Sequence, residues 1–338
     1  MDAALLHGPK NLSVEPMTVP EPGSGQVAVR IAIAGLCGTD YRIWTGDRPV
    51  AYPRVMGHEL IGAVSSVGPD VTSPEVGRRV AIVPNYSCGV CALCREGNWN
   101  LCASRTAVGI DVDGGFAEVV TVPATCCLPL PSALTDDRAV LTEPLAVVVR
   151  AVERGRPRAG ETVAVVGLGT LGLLAVQVLR ARGLRVLGVS RSTRRFELAT
   201  EVGATALARA GVDDLARAGG ELSGREGVDL VVETAGTPDA VAYALELVRP
   251  GGRVVLTGLP HEWSTVDWFS VVRREITIVG SMIYQDEFAE ALRLLETGTV
   301  RTDPLLTHRF PLREIGAAFA AHVESSSIKV AVYPGGLR

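Results

Sequence analysis

The stretch Val163-Ala-Val-Val-Gly-Leu-Gly-Thr-Leu-Gly172 decides the fold of the second half of this 338-residue chain. A short Val/Ala run, typical of a buried strand, leads directly into Gly-x-Gly-x-x-Gly and then into a helical pattern. The first glycine allows a tight turn, the second lets the backbone approach a pyrophosphate, and the third permits close helix–strand packing. The start of the helix offers free N–H groups to phosphate. The predicted dinucleotide contacts in this motif are Gly167, Gly169, Thr170, Leu171 and Gly172.

Strand and helix patterns alternate after this motif, which indicates a doubly wound parallel sheet. The predicted strands are Thr162–Val166, Arg185–Ser190, Asp229–Glu233 and Gly252–Thr257, and the predicted helices are Leu171–Arg182, Thr193–Val202 and Pro238–Val248. The almost uncharged run Thr162–Leu179 could pass for a short membrane span, but its glycines favour a buried strand, turn and helix. The segment Ala208–Gly227 is interpreted as a solvated helix and loop that binds nothing.

The strand after the glycine motif ends at Ser190, where NAD sites usually have an Asp or Glu for the ribose 2′-hydroxyl. Arg191 follows directly and Arg195 lies close by. Without a carboxylate, a 2′-phosphate meets no like charge, and guanidinium groups can pair with it. The alternative is that these arginines are ordinary solvent-exposed residues at the start of a helix. We favour NADP(H) as the cofactor, with NAD(H) as the alternative, and these three residues as its contacts.

The first half of the chain is rich in strand patterns, because short apolar runs there are separated by Gly, Pro and Asp. These predicted strands are Gln26–Ala34, Leu60–Val67, Arg79–Val83 and Ala117–Val122. The tail contains two predicted helices, Asp286–Thr297 and Ile315–Val323, and a final strand, Lys329–Tyr333, which we expect to return to the first domain. The predicted domains are therefore 1–148 with 285–338, and 149–284.

Four cysteines lie close together in the segment CGVCALCREGNWNLC, with spacings of two, two and seven residues. Four thiolates at such spacings can close a tetrahedral shell around one zinc ion. They are Cys88, Cys91, Cys94 and Cys102, in a lobe of about residues 85–104. Seven cysteines without a visible export signal favour metal binding or reduced thiols over disulfides. The adjacent pair Cys126 and Cys127 is interpreted as structural.

A second set of metal-binding residue types is spread over three motifs upstream of the glycine loop. The motifs are Leu36-Cys-Gly-Thr-Asp40, Gly57-His-Glu-Leu-Ile-Gly62 and Glu143-Pro144. Thiolate and imidazole are good zinc ligands, and a carboxylate can complete an open site that keeps one position for substrate. Taken alone, Cys37 would be an ordinary small buried side chain. The combination of the three motifs indicates a catalytic metal site.

The motifs GLCGTD, GHELIG, the cysteine quartet, TEPL and GLGTLG, in this order, resemble the zinc-containing medium-chain dehydrogenase/reductase family. The resemblance covers essentially the whole chain and is strongest to the sorbitol, polyol, threonine and sugar dehydrogenase branch, which has glutamate at the position of Glu143. It implies a GroES-like β-rich catalytic domain plus a Rossmann nucleotide-binding domain. It also implies two zinc ions per chain and a homodimer or homotetramer.

The resemblance implies roles for individual residues as well. Cys37 and His58 correspond to the first two ligands of the catalytic zinc. Glu59 and Glu143 correspond to carboxylates that ligate the metal either directly or through water. Thr39 corresponds to the hydroxyl that accepts the substrate proton.

Two neighbours of Thr39 matter in the same comparison. Asp40 corresponds to a group that orients the ligating histidine. Arg42 is a departure, because some members of the family have a histidine there as the outer end of a proton relay. Arginine cannot carry a proton at neutral pH, so the proton must leave through water, ribose hydroxyls or another group.

The expected activity is hydride transfer between NADP, or NAD, and a secondary alcohol or ketone of a polyol, aminocyclitol or sugar. One alternative is an NADPH-dependent reductase of simple aldehydes or ketones. An alternative from another class is a non-catalytic zinc- and nucleotide-binding sensor. The candidate pocket residues are Trp44, Tyr52 and Phe116, with polar surroundings that include Arg42, Asp47, Arg48 and Asp111.

The net charge of −4 gives no electrostatic reason to expect nucleic acid or anionic membrane as a partner. The N-terminal residues show no signal-peptide pattern, so we expect a cytoplasmic protein. The run Trp268–Met282 alternates in the manner of an apolar strand. An exposed sheet edge is a liability unless it is paired, and a second copy of the chain could pair it across a two-fold axis. The alternative is that this strand lies inside the sheet.

Overall fold

The computed structural model of the protein describes residues 1–259, 262–263 and 265–337. Its internal contacts divide the chain into two compact units, Met1–Glu143 with Thr302–Arg338 and Pro144–Arg301. The predicted domain limits, after residue 148 and before residue 285, stay a prediction. The helix over Glu287–Glu296, which we expected in the first domain, lies within the range of the second unit.

The strands before the glycine motif are formed by short runs of Val, Ile and Ala whose side chains are mostly buried. They are β1 Asp2–Gly8, β2 Asn11–Pro16, β3 Gln26–Leu36, β4 Arg54–Val55, β5 Glu59–Val67, β6 Arg79–Ile82, β7 Asn85–Tyr86, β8 Thr106–Ala107, β9 Val119–Pro123 and β10 Cys127–Pro129. They are antiparallel where they pair with one another.

The second unit is built on a parallel sheet. Its strands are β11 Thr162–Val166, β12 Arg185–Ser190, β13 Ala206–Arg209, β14 Val228–Glu233, β15 Val248–Leu256 and β16 Thr277–Gly280. They lie in the order β13-β12-β11-β14-β15-β16, so the direction of winding reverses between β11 and β14. Both of these central strands are buried along their whole length, as expected for continuous Val-rich runs. The predicted doubly wound α/β fold is confirmed.

The last strands of the chain are β17 Leu306–Pro311 and β18 Lys329–Tyr333, and they belong to the first unit. That unit contains a sheet in the order β10-β6-β5-β3-β18-β17, with β9 also paired to β3. The end of β3 is central to this arrangement. Gly35 lies opposite Glu59 on β5, and Leu36 lies opposite Val330 on β18. Three segments that are far apart in the sequence therefore meet directly before Cys37.

The helices include five whose bounds lie close to the sequence expectations, namely those that begin at Thr170, Phe196, Pro238, Glu287 and Ile315. In chain order the helices are α1 Gly38–Thr45, α2 Ala92–Arg95, α3 Asp136–Ala139, α4 Thr142–Gly155, α5 Thr170–Ala181, α6 Phe196–Glu201, α7 Leu215–Ser223, α8 Pro238–Leu247, α9 Trp268–Arg273, α10 Glu287–Glu296 and α11 Ile315–His322. Short 3₁₀ turns lie at Trp99–Leu101, Ala124–Cys126, Thr193–Arg195 and Leu312–Glu314. Within the described part of the chain, none of the helices combines the length and the apolar character needed to cross a bilayer.

Two predictions about the second unit are wrong. The run Trp268–Met282 is not one strand, because Asp267 accepts a hydrogen bond from the Ser270 N–H and starts α9 before the short strand β16. The segment Ala208–Gly227 is not merely solvated. Ala208 is buried in β13, and buried Leu215 and Leu222 give α7 an apolar face that the Ala, Gly and Arg content concealed.

Candidate metal centres and cofactor site

Cys37 occupies the N-cap position of α1, directly after β3. Three residues later, Asp40 accepts a hydrogen bond from the Cys37 backbone N–H at 2.9 Å through Oδ2. Such a reciprocal cap fixes the entry of the chain into the helix. Thr39 lies between them and is partly exposed. The helix start thus presents a thiol and a hydroxyl from neighbouring positions.

The carboxylate of Asp40 also holds the segment that carries His58. Its Oδ1 accepts the backbone N–H of Gly57 at 3.2 Å, and the side chain is completely buried. The Nδ1 of His58 lies 3.3 Å from the same Oδ1, although it lacks the alignment of a hydrogen bond. Asp40 therefore positions the backbone of both Cys37 and the residue before His58, and it faces the imidazole, as expected for a group that orients a metal-ligating histidine.

The groups around His58 favour the protonated form of its imidazole. Burial alone would lower the pKa of the imidazole, but the charges of Asp40 and Cys37 outweigh burial and raise the pKa well above its ordinary value. Burial likewise acts to raise the pKa of Asp40, and the charge of His58 reverses this and lowers it. Cys37 is close enough to hydrogen-bond with His58. A thiol and an imidazole in contact, backed by a carboxylate, fit the donor set of a zinc site.

The carboxylate of Glu59 is held by a lysine. Nζ of Lys329 lies 2.7 Å from both Oε1 and Oε2 of Glu59 and 3.2 Å from the carbonyl oxygen of Leu36. Both side chains are almost completely buried. Burial acts to lower the pKa of Lys329, but the negative charge of Glu59 outweighs it and raises the pKa, so the ammonium group keeps its proton. Motif reasoning missed Lys329.

Glu143 is buried in the first turn of α4. Its charge, like that of Cys37, acts on the ammonium group of Lys329. The first unit therefore brings Cys37, Glu59 and Glu143 into the electrostatic neighbourhood of one lysine. This set is looser than the cysteine quartet, which in the described residues is the only group of three or more candidate ligands whose ligand atoms all lie within 4.8 Å of one another.

The cysteine quartet has the geometry of a closed metal site. Its sulfur–sulfur distances include 3.4 Å for Cys91–Cys94, 3.6 Å for Cys88–Cys102 and 3.9 Å for Cys91–Cys102. Four Zn–S bonds of about 2.3 Å in a tetrahedron place the sulfurs about 3.8 Å apart. Hydrogen bonds from the backbone N–H groups of Val90 and Cys91 lower the pKa of Cys88 to about 6, which favours the thiolate that binds metal.

Replacing both Cys91 and Cys94 with serine should lower the zinc content by about one equivalent per chain and loosen the lobe. The expected loss is large because a structural zinc site contributes folding free energy directly. Metal analysis of the purified variant, with limited proteolysis of the lobe, measures the effect. Cys126→Ser serves as the matched control, since Cys126 is a buried free thiol outside the quartet. Full metal content in the double variant would contradict the assignment.

The glycine loop of the second unit has the conformation that the motif predicts. Gly167 has φ of +97°, in the region that favours glycine. A Cβ on Gly172 would lie 1.8 Å from the carbonyl oxygen of Gly167, so no larger residue fits there. Thr234 donates hydrogen bonds to the carbonyl oxygens of Val166 and Gly167 at 3.1 and 2.9 Å. The turn between β11 and α5 is therefore close-packed, and Gly169 leads directly into α5.

The three predicted ribose-side residues lie differently with respect to this loop. Arg195 is near it, because its Nη1 donates to the Leu168 carbonyl oxygen at 3.0 Å, and burial lowers the pKa of its guanidinium. Ser190 ends β12, and its Oγ accepts the N–H of Ser192 at 3.4 Å. Arg191 is exposed. Ser190 and Arg191 therefore stand at the carboxyl end of β12, and the described stretch 190–195 contains no Asp or Glu.

Further polar groups lie at the carboxyl ends of β14, β15 and β16. Glu233 accepts the N–H groups of Ala235 and Gly236 through Oε1. Its Oε2, Thr257 Oγ1 and Ser281 Oγ are buried and, among the described residues, have no hydrogen-bond partner. Ligands of doubly wound sheets bind at this edge, near the reversal of strand order. Each group directly follows or ends an apolar run, a signal that the sequence could have offered.

The predicted substrate-pocket aromatics do not share one environment. Phe116 is completely buried and packs edge-on against Phe319 with ring centroids 6.1 Å apart, which favours the alternative that it is an ordinary core aromatic. Trp44 is partly buried against the same core, 5.4 Å from Phe319, whereas Tyr52 is exposed. Arg42 has a buried Nη1 without a hydrogen-bond partner in the described residues.

Comparisons with known families agree with this geometry. Residues 23–132 match the model of the alcohol dehydrogenase GroES-like domain, and residues 170–297 match that of the zinc-binding dehydrogenase family. The chain is 31% identical to a sorbitol dehydrogenase of Bacillus subtilis over 99% of its length and 97% of that protein.

Solved structures show the same fold with nucleotide bound. A structure described as a zinc-binding dehydrogenase from Sinorhizobium meliloti, bound to NADP, has a TM-score of 0.93 and 35% identity, covering 98% of this chain and 99% of that one. The alcohol dehydrogenase RspB from Escherichia coli CFT073, with NADH, also has a TM-score of 0.93, at 32% identity over 98% and 99% of the two chains.

Proposed function

The chain belongs to the zinc-dependent medium-chain dehydrogenase/reductase family, and we propose that this alcohol dehydrogenase transfers hydride between NADP(H) and a polyol-, aminocyclitol- or sugar-like substrate. The substrate would react at a secondary alcohol or the corresponding ketone. The observation that carries the proposal is buried Asp40, which accepts hydrogen bonds from the backbone N–H of Cys37 and from that of Gly57, the residue before His58. A scaffold of this kind serves a site in which two ligands need fixed positions.

We assign the residues of the first unit as follows. Cys37, His58 and Glu143 would hold the catalytic zinc, which when bound supplies Lewis-acid polarisation of the alcohol oxygen while the nicotinamide accepts the hydride. Thr39, two residues after Cys37, would take the substrate proton. Arg42 cannot pass that proton on, so the proton would leave through water or ribose hydroxyls.

Glu143 is a better direct ligand than Glu59. Both carboxylate oxygens of Glu59 are already engaged by the ammonium of Lys329 at 2.7 Å. Direct ligation by Glu59 would require it to share or leave this buried ion pair, which is costly in a low-dielectric interior. Glu59 would therefore influence the metal through its charge, without ligating it directly, and Lys329 would hold that charge in place.

NADP(H) is the proposed cofactor because the carboxyl end of β12 carries a serine and an arginine instead of an acid. The Sinorhizobium meliloti structure contains NADP, which supports this assignment. The Escherichia coli structure contains NADH, which keeps NAD(H) as the alternative. For the substrate class, the support is the similarity to a sorbitol dehydrogenase. We also keep a cytoplasmic location as a prediction.

A panel of polyols, aminocyclitols, sugars and simple alcohols, each with NADP or NAD, tests the function. We expect turnover with polyhydroxylated secondary alcohols and a kcat/KM at least about tenfold higher with NADP, from one charged hydrogen bond of about 1.5–3 kcal/mol. The absorbance of the reduced nicotinamide reports both. Equal kcat/KM values for the two cofactors would refute the NADP preference. Turnover of only simple aldehydes or ketones would favour the reductase, and nucleotide binding without any turnover would favour a sensor.

We propose that the chain forms a homodimer or homotetramer through its second unit. β16 is the last strand in the sheet order, so one side of it has no strand partner in the described residues. Nearby on the chain, Trp268, Phe269 and Val272 of α9 are each more than 60% exposed, at 63%, 74% and 75%. An apolar helix beside an open sheet edge fits a second copy of the same surface.

Light scattering at micromolar concentration should give a mass of two or four times 35.6 kDa. Phe269→Glu should shift the mass toward the monomer, because it places a charge in the buried centre of the contact. Val19→Glu is the matched control, since Val19 is an exposed apolar residue of the other unit. A monomeric wild type at this concentration would remove the proposal.

A further inference from the structure

An arginine outside the glycine motif lies at the same corner of the sheet as Ser190. β13 ends at Arg209, and in the parallel pairing of β12 with β13 this residue lies opposite Ser190. Its Nε donates a hydrogen bond to the backbone carbonyl oxygen of Arg191 at 3.1 Å. The ends of two neighbouring strands therefore bring Arg191 and Arg209 together, although eighteen residues separate them in sequence.

Neither arginine at this corner pairs its guanidinium group with a carboxylate in the described part of the chain. Within the described residues, the terminal nitrogens of Arg209 have no hydrogen-bond or ion-pair partner, and the same is true of the Arg191 guanidinium. The nearby carboxylate is Asp213, and its Oδ2 accepts the backbone N–H of Arg209 at 2.6 Å rather than a guanidinium group. Arg209 thus lies opposite Ser190 with its terminal nitrogens open, next to the backbone of Arg191.

We propose that Arg209, together with Arg191, binds the 2′-phosphate of NADP(H) and so determines cofactor choice. The assignment rests on the proposed function, because it requires NADP(H) to be the preferred cofactor. The Nε contact with the Arg191 carbonyl fixes the plane of the Arg209 guanidinium and leaves two terminal nitrogens for a phosphate. A planar guanidinium can make two parallel, charge-assisted hydrogen bonds to the oxygens of a 2′-phosphate. A neutral 2′-hydroxyl offers neither the charge nor the second oxygen.

The test compares Arg209→Ala with wild type in kcat/KM for NADP and for NAD. We expect a loss of about 10- to 100-fold for NADP, the range of a charged hydrogen bond, with kcat at saturation unchanged and NAD little affected. Arg209→Lys should lose less, because it keeps the charge but not the fork. The control is Arg217→Ala, an exposed arginine on α7 that pairs with Glu221. It should leave both cofactors unaffected.

Direct binding separates a phosphate contact from support of the turn. Titrating the full-length protein with 2′,5′-ADP and with 5′-AMP should show weaker binding of 2′,5′-ADP alone in Arg209→Ala. Equal weakening of both ligands would overturn the proposal in favour of a structural role for the hydrogen bond to Arg191. A wild type that prefers NADP while Arg209→Ala keeps that whole preference would overturn only the assignment of Arg209. A wild type without any preference would overturn it together with the proposed cofactor.

Discussion

Replacing His58 with alanine is expected to lower kcat/KM by at least about 10³-fold, while the affinity for NADP(H) changes little. A metal acting as a Lewis acid contributes several kcal/mol to catalysis, and each 1.4 kcal/mol is a factor of ten. His58 lies in the first unit with Cys37 and Glu143, whereas the glycine loop belongs to the second. Loss of the imidazole should therefore remove metal and turnover but leave the nucleotide site intact.

Three measurements on the same preparation make this test sharp. Metal analysis should show the loss of one zinc, steady-state assays the loss of turnover, and fluorescence titration an unchanged affinity for NADPH. Cys37→Ser should behave in the same way, because it removes the sulfur that contacts His58. His7→Ala is the matched control, since His7 is exposed and pairs only with Glu15 in the described residues. A near-normal kcat in His58→Ala would show that this centre is not catalytic.

The fold was predictable where its signals are local. The glycine loop, the Val-rich strands around it and the alternating helices are each predicted by residues within or next to the element itself. The strands Thr162–Val166 and Arg185–Ser190 have the predicted bounds. The prediction failed where a single cap overrode an apolar pattern. Asp267 starts a helix within a run whose alternation suggests a strand. Periodicity alone does not show whether such a run becomes a helix or a strand.

The candidate site shows the same division between local and distant signals. Cys37, Asp40 and His58 could be identified from the sequence because each lies in a short motif of neighbouring residues. The partner of Glu59 could not, since Lys329 is 270 residues away and meets it only through the pairing of β18 with β3. One sequence signal does point to it. Among 33 basic residues, lysine occurs only at Lys10 and Lys329, so a lysine in the last strand stands out.

The buried pair of Lys329 and Glu59 should dominate the stability of the first unit. Replacing Lys329 with methionine removes an ammonium group and leaves a carboxylate that is only 1% exposed. Leaving a buried charge without its partner costs about 3–5 kcal/mol in free energy of unfolding. Urea unfolding of the variant should show this loss as a lower midpoint. Glu59 should also be drawn toward the metal, which would alter kcat separately from KM for the alcohol.

A double-mutant cycle distinguishes the charge from the packing. Glu59→Gln removes the carboxylate's charge, so Lys329→Met combined with Glu59→Gln should recover most of the stability that Lys329→Met loses alone. Lys10→Met is the control, because Lys10 is the exposed lysine of the chain. If Lys329→Met lost less than about 1 kcal/mol, a value typical of exposed ion pairs, the pair would not be buried as the structure shows. If the double variant recovered nothing, the lysine would stabilise the unit through its contact with Leu36 and its packing instead of its charge.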